Sequence, residues 1–187
     1  RAALAVMRLP TFACIIVQGA FGTMPWICLP WLTLLYQAMG CSDRLASALY
    51  ACFSLGTLVG VTVGGAISDR LAARDPDRGR VAAAIFSVAA GAAGMHGVLR
   101  LLPLEPAAAP AHAAALFASG ALFSWCGGIN ATLFSDIVPP HLRSTVYALD
   151  RALEVSIASF AAPVLGRLAE AHGYAVAPPG LAADAAA

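Results

Sequence analysis

The residues GTLVGVTVGGAISDRLAARDPDRGR, Gly56 to Arg80, carry the clearest structural signal in the chain. From Gly56 to Ser68 it carries no charge and is marked by Gly56, Gly60, Gly64 and Gly65. It then runs into Asp69-Arg70 and an arginine-rich turn that closes on Gly79-Arg80. An uncharged helical run that stops at a cluster of arginines is the pattern of a transmembrane helix ending in a short cytoplasmic loop.

The composition extends this interpretation to the whole chain. Apolar residues make up 60% and charged residues 11% of the 187 positions, and the mean hydropathy is +0.78. Soluble domains carry roughly 25% charge. The net charge is +1, all eleven basic residues are arginine, and no basic run could follow a phosphate backbone, which excludes nucleic-acid binding. Cys14, Cys28, Cys41, Cys52 and Cys126 have no C-x-x-C pairing, and four of them fall in apolar stretches where a thiol packs as a small hydrophobe. His96, His112 and His172 stand alone near span ends and His141 lies in a loop, without a partner at metal-ligand spacing. They are expected to be unremarkable, and neither a metal nor a cofactor is expected.

At about 20 apolar residues per crossing, the chain divides into five spans: Leu9 to Met39, Leu45 to Ser68, Val81 to Leu99, Ala111 to Phe134 and Ser144 to Gly166. The first is long and contains Pro25 and Pro30, so one kinked or tilted helix is expected there. The segment from Leu104 to Ala115 reads as a linker. Residues 173–187, rich in Ala, Pro and Gly, read as a disordered or truncated tail after a partial bundle over residues 1–172.

Arginine placement sets the orientation. Arg70, Arg74, Arg78 and Arg80 gather between the second and third spans, whereas the turns at Gly40 to Arg44 and Arg100 to Pro110 hold one arginine each. By the positive-inside rule, the loop at 69–80 is cytoplasmic. Alternation then puts Arg1, Arg8 and the loop at 135–143 on the same side, with the tail opposite.

Asp150, Arg151 and Glu154 are the cluster of full charges inside a span, where each costs about 2.5 to 3.5 kcal/mol unless it faces a cavity or a partner. Asp150 and Glu154 are four apart and share a helix face, so repulsion and burial favour placing a proton on one of them. Arg151 lies about 100° round the helix and is poorly placed to satisfy both. Asp150 and Arg151 are also close enough to the cytoplasmic entry at Ser144 for snorkelling to hold them, but Glu154 is a turn deeper. The glycines Gly56, Gly60 and Gly64 form a small-residue stripe, either a static packing face or a sliding interface between bundles.

Gly65-Ala66-Ile67-Ser68-Asp69-Arg70 matches the G-x-x-x-D-R core of the signature loop of major facilitator superfamily transporters. Gly79-Arg80 resembles the G-R that follows it, stretched by seven residues from Ala72 to Arg78. The run Phe134-Ser135-Asp136-Ile137-Val138-Pro139-Pro140-His141-Leu142-Arg143-Ser144-Thr145-Val146-Tyr147-Ala148-Leu149-Asp150-Arg151 resembles spinster-like members, especially those of plants and algae. The resemblance extends over most of Arg8 to Tyr174.

It implies an all-α, polytopic transmembrane helix bundle whose five spans correspond to helices seven to eleven of a twelve-helix fold. The chain then reads as a fragment whose partners are the lipid bilayer, the N-terminal six-helix half and a small-molecule or lipid substrate. In that family the signature loop acts as a conformational clasp between the halves, a role that falls on Gly65, Asp69, Arg70, Gly79 and Arg80. The resemblance also makes the first and fourth spans cavity-lining helices, so that Gln18, Trp26 and Asn130 become candidates for the substrate path. Trp26 and Trp31 equally suit the membrane–water boundary, where tryptophan is an anchor.

The implied function is secondary active transport by alternating access with proton coupling, over a family range that includes lysolipids, sphingoid phosphates and other small organic molecules. A non-transporting multi-pass scaffold or partner subunit is the alternative. An intramembrane enzyme is not expected, because there is no G-x-S-G nucleophile and Asp150 has no second aspartate at membrane depth.

Overall fold

A computed structural model describes residues 10–103 and 105–172. The expectations for Arg1, Arg8 and the tail at 173–187 lie outside the described residues, as does the start of the first span at Leu9. The described residues are all-α, with no strand among them. The helices are α1 (Pro10–Cys28), α2 (Trp31–Ala38), α3 (Asp43–Arg74), α4 (Gly79–Leu101), α5 (Ala109–Phe123), α6 (Trp125–Ile137), α7 (Arg143–Ala158) and α8 (Ala161–Ala171). Single 3₁₀ turns at Pro106–Ala108 and Pro140–Leu142 lead into α5 and α7.

These elements form five helical stretches long and apolar enough to cross a membrane: Phe12–Ala38, Asp43–Arg74, Gly79–Arg100, Pro106–Ile137 and Pro140–Ala171. The chain is therefore an all-α multi-pass membrane protein, as its composition leads one to expect.

Three of the spans are interrupted, each for a local reason. The first breaks between α1 and α2 at Leu29-Pro30. Pro30 has no N–H to donate to the Trp26 carbonyl, and that carbonyl accepts instead from the Leu29 N–H at 3.3 Å. Pro25, by contrast, lies within α1. The fifth breaks at Ser159-Phe160, because Pro163 cannot donate to the Ser159 carbonyl one turn back.

The fourth span breaks at Ser124, where no proline signals it. Two carbonyls in the turn before that break receive side-chain donors: Ala121 from Trp125 Nε1 and Leu122 from Ser87 Oγ, each at 2.6 Å. In a medium without water, such backbone groups must find partners within the protein.

Two expected loops are shorter than the sequence suggested. Rather than ending at Ser68, α3 continues to Arg74, so Asp69 and Arg70 are helical and only Asp75 to Arg78 turn. Asp75 Oδ1 accepts from the Asp77 and Arg78 amides at 3.2 and 3.1 Å, an Asx turn that delivers the chain into α4. The expected linker from Leu104 to Ala115 is helical from Pro106 onward, since prolines at a helix start lack only an N–H that would go unbonded there. Between α2 and α3 the chain turns at Gly40, whose φ of +87° suits glycine. The Cys41 and Gly40 amides bond back to the carbonyls of Tyr36 and Gln37, closing α2 with a Schellman motif.

The chain divides into two compact units rather than a single continuous one. One holds the described residues of Arg1–Leu34 and Ser144–Ala187, and the other is Leu35–Arg143.

In the second unit, α3 buries Ala46, Leu49, Phe53, Gly56, Gly60, Gly64 and Ser68, one face at helical spacing. A methyl group on Gly56 would overlap the Phe117 carbonyl, on Gly60 the Ala121 carbonyl and Ser124 Oγ, and on Gly64 the Trp125 indole. From the opposite side, a methyl on Gly120 would overlap the Phe53 carbonyl. The glycine stripe is thus a close backbone packing face between α3 and the fourth span. Trp125 and Ile129 pack with Ala83 of α4, enclosed by Ile67, Leu71, Leu122 and Leu133. In the first unit, α1 packs along α8, and Gly166 makes room for the Trp31 ring.

The faces are reversed relative to a soluble protein. Leu58 is 68% and Phe21 67% exposed, whereas Ser87, His112 and Ser119 are buried. We predict that Gly60→Ala lowers unfolding stability in detergent by about 1 to 3 kcal/mol, because its methyl has no space. Gly65→Ala, which meets nothing within 4 Å, should be neutral or stabilising by up to about 1 kcal/mol. Equal effects at the two positions would contradict the packing described.

Candidate functional site

α7 buries Val146, Asp150, Glu154 and Ala158, spaced by four along one stripe, and exposes Tyr147, Leu149, Leu153, Val155 and Ile157. Most of its large apolar residues face outward and its acids inward. The i, i+4 spacing read from the sequence therefore places both carboxylates on the interior face, with Asp150 at 2% and Glu154 at 0% exposure.

Arg151 Nη1 lies 3.0 Å from Glu154 Oε2. The two form an ion pair rather than an aligned hydrogen bond, since both Glu154 oxygens and Arg151 Nε are buried without a hydrogen-bond partner. The Arg151 guanidinium also stands over the Tyr147 ring, 5.5 Å from its centroid, and its side chain is partly exposed. Arg151 thus serves Glu154 and leaves Asp150 Oδ1 buried with no hydrogen-bond partner.

Gly19 of α1 also packs against Glu154. A methyl group at Gly19 would coincide with the Glu154 carboxylate, so the acid occupies the space that a side chain there would need. The cluster holds two acids and one guanidinium, and one negative charge has no counter-ion among its own members.

The remaining candidates are dispersed. Gln18 and Trp26 are exposed positions of α1, and the Gln18 amide borders Gly22. Asn130 is half-buried on α6 in the other unit, with Cys126 Sγ 4.0 Å from its Oδ1. Gly65 and Arg70 are exposed. Asp69, 71% exposed, lies 3.8 Å from Arg80 of the following helix, so the stretched loop brings the two ends of the motif together within this chain. Gly79 is buried because its α-carbon packs on the Leu71 carbonyl, where no side chain fits. Arg143 donates to the carbonyls of Ser135 and Val138 at 2.7 and 3.2 Å, tying down the end of α6.

One histidine does more than its isolated place in the sequence suggests. His112 is 1% exposed, with Nδ1 2.9 Å from the Tyr36 hydroxyl and Nε2 3.0 Å from the Pro103 carbonyl. A carbonyl only accepts, so Nε2 carries the proton and, in the neutral ring, Nδ1 accepts from the tyrosine. This buried bridge joins α2 to the start of α5. No spacing rule could show it, because Tyr36 and His112 are 76 positions apart. The five cysteines are free, and no group of three metal-ligating side chains gathers among the described residues. Comparison with known proteins finds no matching family model, no matching curated protein and no matching solved structure.

Removing the cation from a buried pair costs about 3 to 5 kcal/mol. We therefore predict that Arg151→Ala lowers unfolding stability by an amount toward the lower end of that range, given the partial exposure of Arg151. Glu154→Gln in the same chain should restore most of the loss. Failure of the second change to rescue the first would show that Arg151 acts through something other than the charge of Glu154.

Proposed function

We propose that the chain is part of a secondary active transporter that moves a small organic or lipid-like solute by alternating access, with Glu154 and Asp150 as the proton-exchanging groups. One observation carries this proposal: two acids lie on the buried face of a membrane span, with one arginine that pairs with Glu154 alone and with buried carboxylate oxygens that have no hydrogen-bond partner. Burying charge in this way is costly, and intramembrane acids of this kind commonly serve ion or substrate pathways. A proton is the smallest cation that neutralises the remaining charge.

The resemblance of the Gly65–Arg80 and Phe134–Arg151 motifs to spinster-like major facilitator carriers supplies the class. On this reading the five spans act as helices seven to eleven and work against an N-terminal six-helix half, around a site near the middle of the membrane. The arginine-rich turn faces the cytoplasm. The Asp69–Arg80 pair belongs to the clasp, and the resemblance makes Gln18 and Trp26 in one unit, and Asn130 in the other, the candidates for substrate contact. No enzymatic step is assigned.

The test is flux in proteoliposomes that hold the chain together with a six-helix N-terminal half, probed with a fluorescent lysophospholipid under an imposed pH gradient. We expect the gradient to drive uptake, Glu154→Gln to abolish the pH dependence, and the chain alone to give no flux. An unchanged pH dependence in Glu154→Gln would refute the proton site. Stable assembly without flux would favour a scaffold.

A further inference from the structure

Gly19 lies within α1, where glycine weakens a helix by roughly 1 kcal/mol relative to alanine. It lies against Glu154, the most enclosed acid among the described residues. The Glu154 carboxylate pairs with Arg151 and packs against the bare backbone of Gly19, and a β-carbon at residue 19 would stand where the carboxylate now is. Gly19 is itself buried, as is Ala20 beside it. Only a residue without a side chain permits α1 to lie directly over Glu154.

We propose that Gly19 is a positioning residue that makes α1 the cover of Glu154, so that the carboxyl group meets water only when α1 moves off α7. Its purpose rests on the transport reading above, but its geometry does not. In a carrier, a helix that must separate from an acid before that acid can exchange its proton links proton exchange to the conformational cycle. Asp150 lies one turn along the same buried stripe, and Arg151, itself partly exposed, sits three residues before Glu154 on α7, so the ion pair belongs to one helix and lifting α1 uncovers the acid without breaking it.

Two measurements on the full chain in nanodiscs test this. The first is modification by a water-soluble carbodiimide with a trapping amine, quantified by mass spectrometry on the peptide containing Glu154, with exposed Asp69 as internal standard. Glu154 should react slowly in the native chain and at least about tenfold faster in Gly19→Ala, because the cover is displaced. Equal rates in a folded Gly19→Ala protein would overturn the proposal.

The second is melting temperature in a double-mutant cycle. Gly19→Ala alone should lower it by about 4 °C or more. In a Glu154→Ala background, where the carboxylate no longer fills the space, the same change should move it by less than about 2 °C. Should Gly19→Ala fail to fold, the double variant decides: folding like Glu154→Ala supports the seat, and failing as well overturns it. The pH dependence of flux should also shift in Gly19→Ala. If the labelling and melting results hold while native flux shows no pH dependence, the transport reading fails and the cover stands.

Discussion

The structure depends on a solvent that cannot drive its helices together. Lipid tails are as apolar as leucine, so burying leucine against leucine gains little, and the helices associate instead by close backbone packing and by the polar groups they withdraw from hydrocarbon. This is why Leu58, Phe21 and Ile85 point outward while glycine, serine, histidine and glutamate lie inside. The Gly56, Gly60 and Gly64 stripe, the Ser87 bond to the Leu122 carbonyl and the Tyr36–His112–Pro103 bridge all serve that constraint. In each, a small or polar group sits where a soluble protein would place a large apolar one.

The cluster on α7 follows the same rule but goes further than packing requires. An interior serine can satisfy itself on a neighbouring carbonyl, as Ser87 does. Glu154 brings a charge, pairs with a partly exposed arginine, and rests on a glycine instead of a hydrogen-bond donor. An arrangement that keeps a carboxylate enclosed yet poorly bonded is easy to explain if the acid must change protonation state or surroundings, and hard to explain as structure alone.

Much of this was legible in the sequence, because the signals are local. Hydropathy alone located all five spans, and the i, i+4 relation of Asp150 and Glu154 put them on one face. The kink at Pro30 is a direct consequence of its missing amide. Helix ends were harder to place, because arginine and aspartate mark the membrane boundary while being good enough helix residues to carry α3 on to Arg74. The break at Ser124 has no proline to announce it, and the one at Ser159-Phe160 lies inside an apolar run that continues to Gly166. Contacts between distant segments were illegible: His112 resembled an isolated histidine, and nothing in the span-one sequence shows that Gly19 receives Glu154.

The most direct test of this inside-out arrangement is a nitroxide scan along α7, residues 146–158, in lipid bilayers, recording accessibility to oxygen, which concentrates in lipid, and to a water-soluble nickel chelate. The structure predicts oxygen maxima at 149, 153 and 157 and minima of both reagents at 146, 150, 154 and 158. Maxima of the nickel chelate at 149, 153 and 157 would place the apolar face of α7 in water and contradict the membrane-spanning, acid-inward helix on which the functional proposal stands.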